Sequence, residues 1–154
     1  MFDASDKLTF LLVGEYPIAR MGLSLFIQEF YENATISTVA TYEKIPAALL
    51  NNSFDIVILD IKFPVKVSFD WIAKIKILNP TCKILVFADL EDSRDALRYI
   101  FRGADGYMDK RYTSEQINIA IKSVVFTGRY FSKQLKALLR EMYFKNEEDR
   151  GLLL

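Results

Sequence analysis

Short runs of unbroken apolar residues alternate along this chain with longer stretches in which apolar positions recur every three or four residues. Leu8 to Val13 is such a run and predicts a first strand. Pro17 then opens a stretch with Ile18, Leu23, Phe26, Ile27 and Phe30 at helical steps, and proline suits a first helical turn. Thr35 to Val39 predicts a second strand, and Tyr42 to Asn51 a helix ended by Asn51-Asn52-Ser53. The third strand lies in FDIVILDIKFP, residues 54–64. Ser68 is placed to cap a helix holding Ile72, Ile75 and Leu78, which Asn79-Pro80 stops. Cys82 to Phe87 predicts a fourth strand, and Ser93 to Arg102 a helix closed by Gly103. Gly106-Tyr107-Met108 predicts a short fifth strand. The capping-box pattern Thr113-Ser114-Glu115-Gln116 starts a helix that ends before Gly128.

Five strand–helix pairs imply a parallel sheet with helices on both faces, since parallel neighbours need crossovers and strands covered twice read as continuously apolar. The tail departs from this alternation. Ser132 can cap a further helix with Phe131, Leu135, Leu138, Leu139, Met142 and Tyr143 on one stripe. That helix has no strand partner, and Lys145 to Leu154 is expected to fray.

Composition narrows the chemistry. The 154 residues suit one domain, with 51% hydrophobic and 26% charged residues, a globular balance. Twenty basic residues offset twenty acidic ones, so no net field favours nucleic acid or membrane. There is no histidine, which excludes Ser-His-Asp and Cys-His catalysis and histidine-ligated zinc. The lone Cys82 reads as a strand residue. The start shows no signal-peptide pattern and no run reaches the length of a membrane span, so the expected compartment is the cytoplasm.

The third strand ends on a carboxylate, Asp60. Ligands of open parallel sheets bind at the carboxyl ends of the strands. Glu15 just after the first strand and Lys110 just beyond the fifth would meet Asp60 at that mouth. Two acids and an ammonium there suit a small anion, a divalent cation or both, or else a surface ion-pair cluster.

In order and spacing, LLVGEYP, VILD followed by FP, and GADGYMDK resemble the receiver domain of bacterial two-component response regulators over about residues 7–128. TGRYFS resembles the LuxR-type (NarL/FixJ) subgroup, in which a DNA-binding domain follows. The resemblance implies a CheY-like, flavodoxin-like (βα)5 fold with strand order 2-1-3-4-5, here with an extra C-terminal helix. It implies a signalling role rather than an enzyme. Asp60 would be the phosphoacceptor for a histidine kinase or phosphotransfer protein, with Lys110 contacting the phosphoryl group. Glu15, Asp60 and the backbone carbonyl of Lys62 would hold Mg2+. Position 88 and Tyr107 would form the switch that shifts the helix 4 face.

The chain departs from that pattern at several of these positions. Gly14 stands where the family has an acid, and Glu15 replaces an aspartate. Ala88 replaces the hydroxyl residue, and VKVSF lacks the usual glycine. Lys62 follows the phosphoacceptor by two and is placed to fold over it beside Lys110. Asp89 is expected to point away from the mouth. Loss of charge and of a phosphoryl donor predicts weak or absent Mg2+ binding and impaired switching. The alternative is a phosphorylation-independent pseudo-receiver acting as an interaction or dimerisation module. Without a hydroxyl at 88, Tyr107 reads equally as an edge-strand aromatic.

Two surfaces are candidates for partners. Helix 4 offers more apolar surface, with Leu97, Tyr99, Ile100 and Phe101, than one face buries. A homodimer through helices 1 and 5, or through the C-terminal helix, is the expected assembly. Residues 1–128 form the receiver and 129–154 a linker-like tail. Basic and acidic groups nearly balance in that tail, so it is not expected to bind nucleic acid.

Overall fold

A computed structural model describes residues 7–62, 66–89 and 93–152, without the side chains of residues 66, 67, 93 and 148–152. Five strands form one parallel sheet in the order β2-β1-β3-β4-β5: β1 Thr9–Val13, β2 Thr35–Val39, β3 Ile56–Ile61, β4 Lys83–Ala88 and β5 Gly106–Asp109. The helices are α1 Pro17–Phe30, α2 Ile45–Asn51, α3 Lys66–Leu78, α4 Ser93–Phe101, α5 Ser114–Thr127 and α6 Lys133–Leu152. The predicted order of elements is the observed one.

Alternation along each strand divides the core into two layers. Phe10, Leu12, Ile56 and Ile58 point towards Leu23 and Ile27 of α1 and Ile117, Ile121 and Val124 of α5. Leu11, Val13, Val57, Leu59 and Ile61 point the other way, towards Ile45, Ile72, Ile75, Ala96 and Leu97 on α2 to α4. The strands are apolar throughout because both faces are covered. Cys82 is buried in this second layer, and burial pushes its thiol above the ordinary range, which fits a structural residue.

Local signals explain most helix ends. The Thr113 hydroxyl accepts the Gln116 N–H, and the Gln116 side chain accepts the Thr113 N–H, closing the capping box of α5. Gly128 follows with φ +84°, a left-handed cap open to glycine at little steric cost. Two ends differ from expectation. The first turn from Tyr42 to Lys44 is a 3-10 turn, and α2 starts only at Ile45, where Pro46 supplies the fixed φ of a first turn. Helix α3 begins at Lys66, so Ser68 lies inside it rather than at its cap. Ser68 is fully buried, its hydroxyl 3.1 Å from that of Tyr99 on α4.

The tail is helical through Leu152, so residues 145–152 of the segment expected to fray continue α6, and 153–154 lie outside the described residues. Ser132 caps it, its hydroxyl accepting the Leu135 N–H at 3.1 Å. Leu135 is buried, and Leu138 and Leu139 pack on the same layer as Leu97 and Tyr99. Much of the apolar excess of α4 is therefore met within the chain. Leu97 and Tyr99 are buried and α6 lies against α4, while Phe101 stays exposed. Among the described residues no helix is long and apolar enough to cross a membrane.

Candidate functional site

The order of strands reverses between β1 and β3, which pair directly with Val13 opposite Leu59. Residues leaving the carboxyl ends of these two strands share one mouth. Asp60 is the last polar residue of β3, paired with Phe87 of β4. Gly14 follows β1, its N–H bonded to the Val39 carbonyl at 3.0 Å and its own carbonyl held by the Arg20 guanidinium from α1. Lys110 follows β5 and is anchored by its backbone N–H on the Ala88 carbonyl at 3.1 Å.

The expected meeting of Asp60 with Lys110 is observed. The Lys110 ammonium lies 2.6 Å from Asp60 Oδ1, with the carboxylate side chain 14% exposed and the lysine 29% exposed. Coulomb attraction is stronger there than at an open surface, and the hydrogen bond is charge-assisted. Glu15 lines the same cleft but is exposed, without hydrogen bond or ion pair among the described residues. Lys62 does not fold over Asp60. Its ammonium sits 4.9 Å from the centre of the Tyr16 ring. The Tyr16 hydroxyl and then its charge, with Glu15 adding to them, raise the pKa of this ammonium. The aromatic face and the nearby carboxylate attract the flexible side chain away from an aspartate whose charge Lys110 already balances.

The residues do not form the oxygen shell that a Mg2+ ion needs. A Cβ at position 14 would stand 3.0 Å from the Asp60 Cβ and 3.2 Å from its Oδ2. Asp60 thus leans into the space beside Gly14, where an acid would have to fit, and its other oxygen is taken by Lys110. Among the described residues no three acidic or thiol side chains gather to hold a metal. Asp89 is exposed, and its charge bears on Arg111 rather than on the cleft. Phe63, Pro64 and Val65, which include the FP signature, lie outside the described residues.

The pair expected to form the switch takes a form that the residue types did not suggest. Ala88 has no hydroxyl, yet the Tyr107 hydroxyl donates to the Ala88 main-chain carbonyl at 3.0 Å. The ring packs against the layer formed by α2 to α4. Tyr107 is therefore tied to position 88 through the backbone.

Tyr42 near Asp60, and a buried pair of hydroxyls between two helices, were given no such role in the sequence. Tyr42 lines the cleft, stacked on Trp71 with ring centres 6.1 Å apart. Burial first, then the charges of Tyr99 and Asp60, push its phenol up to about 12. The Ser68–Tyr99 hydroxyl pair joins α3 to α4 behind it. The place of Tyr42 just beyond β2 was a usable signal for the first. Nothing in the sequence linked Ser68 to Tyr99.

Comparison with known proteins bears on most of the chain. The family model of the response regulator receiver domain matches residues 10–122. The nitrate/nitrite response regulator protein homolog of Haemophilus influenzae is 24% identical over 147 residues, covering 96% of this chain and 69% of that protein. Fimbriae Z protein of Salmonella typhimurium is 27% identical over 127 residues, covering 80% of this chain and 59% of its own length. Among solved structures, a LuxR-family two-component response regulator from Aurantimonas sp. aligns with a TM-score of 0.76 at 22% identity, covering 90% of this chain and 99% of that one. The isolated receiver domain of RcsB from Salmonella enterica, solved with a phosphomimetic, aligns at 0.72 with 14% identity, covering 86% and 99%. With the fold, the Asp60–Lys110 pair at the strand ends and the family match in agreement, the chain belongs to the two-component response regulators as a receiver domain related to those of the LuxR/NarL type.

Proposed function

We propose that this receiver works as a phosphorylation-independent interaction module, with Mg2+ binding weak or absent and Asp60 held as the ion-paired partner of Lys110. The observation that carries the reading is the space at position 14: the acid that would help hold a metal is missing, and a Cβ added there would stand 3.0 Å from the Asp60 Cβ and 3.2 Å from its Oδ2. Tyr107, bonded to the Ala88 carbonyl, reaches its anchor without a phosphoryl group to draw it in. The domain is a signalling part rather than an enzyme. Residues 1–128 act as the receiver and 129–154 as a linker-like helix of a cytoplasmic, LuxR-type transcription regulator, with no direct nucleic-acid binding by this chain.

A second copy is the partner that the surface favours. Helix α1 exposes Ile18, Met21 and Leu25 at helical spacing, and the adjoining α5 exposes Ile119 and Phe126. That neighbouring pair of apolar stripes is a self-complementary patch for a two-fold dimer. Sedimentation that shows only monomer at high concentration removes the dimer.

One observation favours a second reading. The Lys110 ammonium already stands at the Asp60 carboxylate, where it would meet the charge of a transferred phosphoryl group. In that reading the Asp60 oxygen attacks phosphorus on the phosphohistidine of a kinase or phosphotransfer protein. The N–P bond breaks, and the imidazole leaves and takes up a proton. Incubation with acetyl phosphate, with and without Mg2+, followed by mass measurement separates the two. No adduct is expected. An adduct that disappears in Asp60→Asn establishes the second reading and ends the first.

A further inference from the structure

The cleft beside Asp60 has one wall, the turn after β2, that phosphoryl chemistry does not use. The turn after β1, with Gly14, Glu15 and Tyr16, faces the turn after β2, with Thr41, Tyr42 and Glu43, across a cavity of about 320 Å3. Asp60 lies between them and Lys62 closes a third side. Each wall carries the same two residue types next to each other, a tyrosine and a glutamate.

The first wall already shows what such a pair accepts. Lys62 places its ammonium over the Tyr16 ring with Glu15 close enough to favour its charge. The second wall has no such occupant among the described residues. Tyr42, half-buried, lines the cavity and is stacked on Trp71, and Glu43 is exposed without an ion pair or hydrogen bond among the described residues. Trp71 in turn receives the Lys74 ammonium at 4.6 Å, so cation-on-ring contacts recur around this aromatic pair. The charge of the cleft points the same way. Lys110 cancels Asp60, which leaves Glu15 and Glu43 against Lys62 alone.

We infer that this cleft receives the guanidinium of an arginine side chain carried by a partner protein, stacked on Tyr42 and paired with Glu43. A guanidinium fits better than an ammonium for two reasons. It is planar and weakly hydrated, so it stacks on a ring at small desolvation cost, and its fork matches a carboxylate in two parallel hydrogen bonds. A metal ion is disfavoured because the two glutamates stand on opposite turns, the Asp60 carboxylate between them is already paired with Lys110, and among the described residues no three acidic side chains gather to hold one. An anion is disfavoured by the excess of carboxylates. The inference does not depend on how Asp60 is used, since neither Tyr42 nor Glu43 takes part in phosphoryl transfer.

The test is a titration of the 154-residue, 15N-labelled chain, followed by amide shifts, with acetyl-Gly-Arg-Gly-amide. The same peptide with lysine or glutamine in place of arginine, and inorganic phosphate, serve as comparators. The arginine peptide is expected to saturate, with a dissociation constant on the order of millimolar, and to move amides at 14–16, 40–43 and 60–62. Glu43→Gln, on an exposed turn, should weaken it by about fivefold or more, while Tyr42→Phe, which keeps the ring, should bind as before. The inference is overturned by an absence of saturation, by equal binding of the glutamine peptide, or by unchanged affinity in Glu43→Gln. Equal binding of the lysine peptide overturns the guanidinium assignment, and tighter binding of phosphate at the same amides makes the cleft an anion site instead.

Discussion

The Tyr107 hydroxyl and the Lys110 backbone N–H converge on one acceptor, the carbonyl oxygen of Ala88, at 3.0 and 3.1 Å. The same lysine carries the ammonium that pairs with Asp60. A single main-chain oxygen at the end of β4 therefore fixes both Tyr107 and the stem of the residue that neutralises the acid. The tie uses a group that every residue possesses, so losing the side-chain hydroxyl at 88 does not free Tyr107.

Removing the Tyr107 hydroxyl tests how much that tie contributes. In Tyr107→Phe the Ala88 carbonyl keeps its bond to the Lys110 N–H, so no acceptor is left bare. The expected loss is that of one ordinary hydrogen bond, about 0.5–1.5 kcal/mol, read from denaturant unfolding. Amide shifts should change at 88 and along β5 but not in α1. A loss several times larger would mean that the ring, rather than the bond, depends on the hydroxyl.

Restoring the missing acid should not restore a metal site. In Gly14→Asp the new Cβ meets the Asp60 Cβ at 3.0 Å, and the two like charges crowd one mouth. The variant is expected to be less stable than the wild type and to show no gain in Mg2+ response, followed through the fluorescence of Trp71, the only tryptophan. A saturable Mg2+ response in this variant, absent from the wild type, would show that Asp60 can withdraw and that the shell rebuilds easily.

The fold was legible because its signals are local and repeated. Runs such as Ile56 to Leu59 have few alternatives to a doubly covered strand, and capping at Thr113 and Ser132 depends on residues a turn away. The Asp60–Lys110 meeting was legible for a related reason: strand ends fix where side chains emerge. What the sequence hid depends on side-chain choice between competing partners. Lys62 has reach enough for Asp60 or Tyr16, and only the position of the ring decides. Ser68 has the composition of a cap, but α3 begins two residues earlier and carries it inside to Tyr99. Tyr107 found a backbone acceptor, which residue types cannot announce.

Tyr42 should make stability fall at high pH. Its folded pKa of about 12 lies above the ordinary 10.0, chiefly from burial, so the fold prefers the neutral phenol. That contribution is fully present below pH 10 and is lost as pH rises through 12. Tyr42→Phe removes the titrating group and keeps the ring against Trp71. The variant's unfolding midpoint should therefore decline less steeply than the wild type's across that window. Parallel declines would show that Tyr42 ionises as an exposed phenol does.

The docking of α6 rests on Leu135, which is 2% exposed and is set in place by the Ser132 cap one turn earlier. Truncating a buried leucine removes its transfer free energy and leaves a cavity, typically about 2–5 kcal/mol in all. Leu135→Ala is expected at the lower end, because α6 leaves Met142, Tyr143 and Phe144 exposed along its second half and can shift to fill the space. Two measurements locate the effect. If α6 is an integral part of the fold, the denaturant midpoint falls and amide exchange speeds up in β3 and α6 together. If α6 is a latch on α4, exchange rises in α6 and α4 while β3 keeps its protection. The packing of Leu135 in one layer with Val57, Leu59, Ala96 and Leu97 favours the first outcome, since the side chain belongs to the core that covers the sheet rather than to a separate contact between two helices.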